Sequence, residues 1–461
     1  MSTAPAEATG SSAPRLRRTL TLWDLILYGV IVIQPVAPMS SFGVLSDVGR
    51  GHVVTTLLIA MVAMLFTAIS YGRMARVYPS AGSAFTYVGQ EINPALGYVT
   101  GWSMVMDYML NPIICVIWCS QQANVFAPGV PYWGWVIFFA LVFTWLNILG
   151  VRTSARINAG LAVAMGVVIA IFFVAAARYV FGHPHSSAGF FTLPFYDPKM
   201  FDWGSVKAAT SIAVLTYIGF DGISTLSEEA ENPRRNILLA TVLTCLVIGV
   251  LSAMQVYAAQ LLWPASEPFP NETTAFVYTA ARAWGPLFAI IGFTLVVANF
   301  GSGMGAQLGA ARLLYGMGRS NALPKGFFGA VDPKRHVPRN NVLFVGVVAL
   351  ISVFVMSATV GPDRSYELGA EMLNFGALIA FMGVNAAAFV RYFLRASEKK
   401  IGNLFPPVLG FLMCLSLWLH LSSKAKIAGV VWMAVGIAFG AWKTRGFRGD
   451  LVNFDLPPEE S

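Results

Sequence analysis

The stretch that decides the fold is Tyr217-Ile218-Gly219-Phe220-Asp221-Gly222-Ile223, inside an apolar run that begins near Trp203 and ends at Glu228, Glu229, Glu231, Asn232 and Pro233. Two glycines bracket an acid at the depth where a membrane helix would cross the bilayer centre. Each glycine disfavours continuous helix by about 1 kcal/mol relative to alanine. An aspartate at the centre of a spanning helix costs about 3 kcal/mol on insertion scales. A plain anchor would carry neither. Opened backbone at that depth survives only where protein buries it or water reaches it. The stretch therefore reads as a broken helix lining a substrate cavity. A glycine-kinked packing helix with a satisfied aspartate is the structural alternative.

Composition places the whole chain in a membrane. Of 461 residues, 56% are hydrophobic and only 11% charged, against about 25% charged in soluble domains. Such a chain cannot cover a soluble surface. Its 43 glycines suit close helix packing in lipid. Cys115, Cys119, Cys245 and Cys414 fall inside apolar runs without metal-ligand spacing, and the five histidines form no ligand motif, so neither a metal nor a cofactor is expected. The net charge of +8 does not point to nucleic acid, because in a membrane chain the placement of charge matters more than its sum. Residues 1–18 are rich in small polar residues and read as a disordered tail. The first apolar run is followed by further spans rather than by a cleavage site, so no cleavable signal peptide is expected.

At about 20 apolar residues per crossing, twelve spans fit: 22–45, 53–75, 94–126, 132–150, 156–181, 203–229, 236–262, 284–311, 341–359, 366–393, 404–422 and 426–443. With an inside start, 22 Lys and Arg residues fall on the inner side and eight on the outer, so both termini are expected to be cytoplasmic. The inner loop 312–340 reads as a basic helix on the inner surface or as a plain connector. Span 1 runs outward and is interrupted by Gln34-Pro35-Val36-Ala37-Pro38; span 6 runs inward and is interrupted between Gly219 and Gly222. Opposite direction, matching ordinal position and a break in mid-span form the signature of an inverted repeat. The expected fold is an all-α polytopic membrane protein with a 5+5 inverted repeat and broken helices 1 and 6. Residues 19–202 form the first repeat, 203–398 the second, and 399–444 two appended helices, before a polar cytoplasmic tail at 445–461.

Pro35 and Pro38 lack N–H groups and each ring clashes with the preceding turn, so both should break span 1 and free carbonyls near residues 31–34. Gln34 adds an amide. An anion needs N–H donors, which prolines reduce, so this break suits a cation better than a carboxylate. Asp107 lies inside span 3 and is the only acid between Glu91 and Asp197. A buried carboxyl there needs a proton or a cationic partner, and no Lys or Arg lies in mid-span. Tyr108 beside it offers a hydroxyl and a cation-binding ring face; Tyr217, Phe220 and Trp118 offer further faces, although each alone also reads as packing. With Asp221 there are two negative sites. They suit a ligand with two amines, or one substrate charge and one proton. Glu228 and Glu229 sit beside Arg234 and Arg235 and read as an inner gate, a proton site or a surface ion network. Gly301, Gly305 and Gly309 in span 8 read as a close-packing seam, with Asn299 and Gln307 candidates for the cavity wall. Asn374 and Asn385 are weaker candidates of the same kind.

Several ordered stretches resemble the amino acid–polyamine–organocation permeases: Ala68-Ile69-Ser70-Tyr71-Gly72-Arg73, Tyr78-Pro79 through Tyr87, Gly101-Trp102 with Asp107-Tyr108, Gly219-Phe220-Asp221 leading to Ser227-Glu228-Glu229, Arg312 to Tyr315 leading to Ala322-Leu323-Pro324, and Asn374-Phe375-Gly376-Ala377. Ser46-Asp47 through Val53 and the Asp107-Tyr108 pair are most similar to the bacterial putrescine importers within that superfamily. The resemblance spans essentially all twelve crossings. It implies a LeuT-like fold, an inner-membrane location, proton-coupled uptake, and an amine site between spans 1, 3, 6, 8 and 10, with Asp107, Tyr108, Phe220 and Asp221 near the ligand. Amino-acid members usually carry a glycine-rich break in span 1, which Gln34-Pro35-Val36-Ala37-Pro38 does not match. The expected function is proton symport of putrescine or a related amine, with Gln34, Asp107, Tyr108, Tyr217, Phe220, Asp221 and Asn299 as substrate-binding residues. An amino-acid/proton symporter or exchanger of the same fold is the rival. No catalytic constellation is present, so an enzyme is not expected.

Overall fold

The computed structural model describes residues 20–79, 83–149, 155–184, 189–227, 230–319, 323–332, 335, 337–396 and 400–447. The chain is an integral membrane protein. Eleven helices are long and apolar enough to cross a bilayer, or twelve crossings if the bent pair Leu22–Ile33 and Ala37–Val48 is one span. Spans 2 to 5 are Val53–Val77, Pro94–Phe126, Tyr132–Leu149 and Ala155–Gly182. Spans 7 to 12 are Pro233–Leu262, Leu287–Arg319, Arg339–Val360, Pro362–Phe389, Ile401–Leu419 and Ser423–Lys443.

Span 1 starts at a capping box: Thr21 N–H donates to Asp24 Oδ2 at 2.9 Å and Asp24 N–H to Thr21 Oγ1 at 3.3 Å. It stops at Gln34, whose φ of 69° lies in the left-handed region. The chain resumes as helix at Ala37, bent by 47°. The expectation that both prolines break the span needs correction. Pro35 sits in the break, but Pro38 lies in the first turn of the outer half, where a missing N–H costs nothing. Span 6 runs as α-helix over Trp203–Ala213, tightens to a 3₁₀ turn over Val214–Tyr217, opens at Ile218 and Gly219, and continues as 3₁₀ over Phe220–Leu226. Gly219 has φ +120°, and a Cβ there would lie 3.0 Å from Val32 Cγ1 and 3.2 Å from Ile33 Cγ1. The two breaks therefore abut. Farther along, a Cβ on Gly29 would meet Ile223 Cδ1 at 2.6 Å, and Glu231 N–H donates to the Leu20 carbonyl at 2.8 Å.

Span 3 lies deepest, with 83% of its most apolar stretch inside the protein, whereas spans 4, 5 and 12 keep most of that stretch on the outside, at 28% buried each. Span 2 packs along span 7, Gly72 against Leu238 and Gly249 against Met61. Beyond the outer half of span 1, loop 263–283 closes the bundle. A Cβ on Gly43 would meet the Glu272 carbonyl at 2.1 Å. On the opposite side the fully buried Glu91 accepts from Tyr78 at 2.9 Å and pairs with Arg395 at 2.9 Å and Arg391 at 3.5 Å, tying loop helix Ser83–Glu91 to span 10.

Two readings of the loops and seams change. Span 8 continues as helix through Arg319, and only the four residues Lys325–Phe328 form a further turn. Among the described residues there is thus no long surface helix within 312–340. The glycine seam is also only partly where expected: of Gly301, Gly305 and Gly309, only Gly309 packs closely, its missing Cβ 3.3 Å from Tyr108. Nothing lies within 4 Å of a Cβ on Gly301 or Gly305, while one on Gly303 would meet Phe143 at 2.4 Å and Cys115 at 2.8 Å. Two residues of offset turn an α-helix by about 200°, so Gly303 packs and the 301/305 face stays open. The expected terminal tails, 1–18 and 448–461 within 445–461, lie outside the described residues, as do Glu228 and Glu229.

Candidate functional site

The two mid-membrane acids converge. Asp107 on span 3 and Asp221 on span 6 are 7% and 6% exposed, and they lie within Coulombic reach of one another. Among the described residues no Lys or Arg pairs with either carboxyl. Span 10 allows the approach at Asp107: a Cβ on Gly376 would meet the Ser103 carbonyl at 2.5 Å and Asp107 N at 3.5 Å. The two carboxyls are held differently. Asp221 turns back on its own opened backbone, where Gly219 N–H donates to Oδ1 at 3.2 Å and the amides of Asp221 and Gly222 face the same group. Successive N–H groups converging on a carboxylate form a small anion nest. Among the described residues Asp107 has no such cradle.

Aromatic side chains enclose the pair. Phe220, fully buried, meets Tyr71 edge-on at 5.6 Å and Phe381 at 5.3 Å between ring centroids. Tyr108 is half-buried, and its ring lies 3.3 Å from where a Cβ on Gly309 would sit. Tyr71, Tyr108 and the two acids share one electrostatic neighbourhood, to which Tyr28 of span 1 also belongs. Tyr71 and Tyr28 carried no site signal in the sequence. Tyr71 stands there only within the permease-like stretch Ala68 to Arg73.

The remaining candidates make helix-to-helix ties. Gln34 Nε2 donates to the Ala298 carbonyl at 2.6 Å. Asn299 Nδ2 donates to Ser40 Oγ at 3.1 Å and to the Leu295 carbonyl at 2.9 Å. Span 8 thus clasps both sides of the span 1 break. On its other flank Gln255 Nε2 donates to the Pro35 carbonyl at 2.9 Å, so this freed acceptor is already taken. Tyr217 turns away from the acids and donates to the Leu57 carbonyl at 2.8 Å. Trp118 donates to the Thr273 carbonyl at 3.0 Å. Gln307 is buried between spans 4, 8 and 9, bonded to Asn147 and Thr144 at 2.8 and 2.9 Å. Asn374 Nδ2 donates to the carbonyls of Ser211 and Ile212 at 2.8 and 3.1 Å, the last full turn before span 6 leaves α-geometry. Asn385 Nδ2 bonds Thr67 at 3.0 Å.

Beside loop 263–283, Asp47, Arg50, Lys199, Glu267 and Glu272 border a cavity of about 550 Å³. Burial raises the Glu272 carboxyl above its ordinary range, and the nearby Asp47 adds to the shift.

Two broken helices set side by side, with acids from spans 3 and 6 between them, define a polytopic membrane permease. The chain belongs to the amino acid permease family, whose model matches residues 33–447. It is 33% identical to the low-affinity putrescine importer PlaP of Escherichia coli K12, over 96% of this chain and 98% of that one. It is 25% identical to the branched-chain amino acid permease BcaP of Bacillus subtilis, over 93% and 94% of the two chains. Its fold is similar to that of the Eremococcus coleocola manganese transporter, with TM-score 0.51 and 13% identity over 93% and 96% of the chains.

Proposed function

We propose that this permease imports a small organic diamine, putrescine or a close relative, together with protons. One observation carries the reading: Asp107 and Asp221 are both buried, within Coulombic reach of one another, and among the described residues no Lys or Arg is paired to either. Two such carboxyls need positive charge from elsewhere, and a short diammonium supplies two. The ring faces of Tyr108 and Phe220 suit its methylene chain and ammonium ends. Gln34, Asn299 and Tyr217 then serve as the frame around the ligand rather than as its first partners. The break in span 1 supports an amine over an amino acid, because Pro38 has no N–H and the Ala37 N–H is used by the Gln34 carbonyl at 3.1 Å. Few donors remain there for a substrate carboxylate.

The transporter sits in the cytoplasmic membrane with both termini inside, and spans 1–5 and 6–10 form a LeuT-like inverted repeat. A dication moving inward gains about 4.6 kcal/mol per 100 mV, at about 2.3 per charge, so uptake is the favoured direction before a proton adds to it. The similarity to a putrescine importer supports this reading; the similarity to a branched-chain permease supports the rival, an amino-acid symporter or exchanger. Uptake of labelled putrescine by proteoliposomes, with and without an acid-outside gradient, decides between them. The proposal expects saturable uptake, enhanced by the gradient and blocked by short diamines. Displacement by leucine or arginine but not by diamines would replace it with the amino-acid reading.

A further inference from the structure

Tyr71 of span 2 is fully buried, and its hydroxyl has no hydrogen-bond partner among the described residues. Leaving such a group dry is costly, and a phenylalanine would fill the same space without that cost. Asp221, Tyr87, Tyr108 and Asp107 are the titratable groups within Coulombic reach of the hydroxyl, and the Tyr71 ring packs edge-on against Phe220, the neighbour of Asp221, at 5.6 Å. Tyr87, on loop helix Ser83–Glu91, packs edge-on against Tyr71 with ring centroids 6.2 Å apart. Its own hydroxyl is also buried and faces Ser83 and Ser224 without closing a hydrogen bond to either. Those two serines touch, Oγ to Oγ at 2.8 Å, and Ser224 Oγ donates to the Asp221 carbonyl at 2.6 Å. Four hydroxyls, two of them touching and two without a partner among the described residues, thus lie in the region between Asp221 and Ser83, the first residue of the loop helix.

We propose that Tyr71, Tyr87, Ser224 and Ser83 form the route by which the co-transported proton leaves Asp221 for the cytoplasm. The inference rests on the proton-coupled reading above. The Asp221 acid proton passes to Tyr71 Oη as Tyr71 passes its own to Tyr87 Oη, and Tyr87 its own to Ser224 and Ser83, with single waters bridging where hydroxyls do not touch. The last proton goes to inner water. Each hydroxyl takes one proton and gives one, Asp221 is left as a carboxylate, and rotation of the O–H bonds resets the file. The amine does not use this route, so exchange of one amine for another needs none of these hydroxyls.

The test uses the full chain in proteoliposomes with labelled putrescine. Y71F and Y87F should fold with thermal stability equal to or above that of the wild type. Y87F should retain labelled-for-unlabelled putrescine exchange at equal pH, and both variants should lose accumulation driven by a pH gradient by about tenfold or more. Gradient-driven accumulation at the wild-type level in both variants overturns the route while leaving diamine transport in place. Wild-type uptake with no response to the gradient does the same. A wild type that moves no putrescine in either assay overturns the transport reading and the route with it.

Discussion

Asp107 and Asp221 differ in what holds them, and their substitutions should differ accordingly. Asp221 stabilises the opened backbone through Gly219 N–H as well as offering charge, whereas Asp107 offers charge alone. Removing one partner of a buried charge pair costs about 2–5 kcal/mol, so D107N and D221N should each lower amine uptake roughly thirtyfold or more, with protein still inserted. Only D221N should also lower thermal stability, because an amide is a weaker acceptor for the nest. Equal stability loss in both variants, read by thermal unfolding in detergent, would contradict this division. Both acids were visible in the sequence because a charge in an apolar span is costly. Tyr71 was not visible. A tyrosine at a core position of a spanning helix carries no such penalty until its unpaired hydroxyl is seen against Asp221.

At the scale of the element, the account depends on two breaks that meet. Gly219 is required twice over: its φ of +120° is one that side chains rarely adopt, and Val32 and Ile33 stand 3.0 and 3.2 Å from its missing Cβ. G219A should cost about 1–3 kcal/mol of stability and abolish uptake. G222A should be tolerated, since Tyr28 is 3.9 Å from that position. Span 8 gives a second contrast. G303V forces a side chain into Phe143 and Cys115 and should cost about 1–3 kcal/mol, whereas G305A meets open space and should fold normally. Equal behaviour of the two, by yield and thermal unfolding, would argue against the packing described. The breaks were legible because proline and glycine act locally on the backbone. The packing face of span 8 was not, because four-residue glycine spacing marks a face without saying what lies opposite it. The partly mistaken seam and the second proline of span 1 share this cause: a local signal was read without its neighbours.

At the scale of the whole molecule, eleven crossings, or twelve with the bent pair as one span, and their approximate limits followed from hydropathy, and the breaks from residues such as Pro35 and Gly219. How the outer loop closes the bundle did not, because the contact of Gly43 with the Glu272 carbonyl joins segments 229 positions apart. That seal carries its own pH dependence. The Glu272 carboxyl is raised by burial and by Asp47, so the folded seal binds its proton more tightly than the unfolded chain does. Its contribution is fully present below the ordinary glutamate range and is lost as pH rises through the raised one. E272Q should flatten that part of the pH profile of thermal stability and raise stability at neutral pH. An unchanged profile would show that the group does not matter to the seal.

The most direct test of the acidic chamber is equilibrium binding of labelled putrescine to the purified protein, wild type against D107N and D221N. Saturable binding to the wild type, displaced by other short diamines and lost in both variants, is the predicted result. Binding of undiminished affinity in both variants, or displacement by leucine but not by diamines, would contradict it.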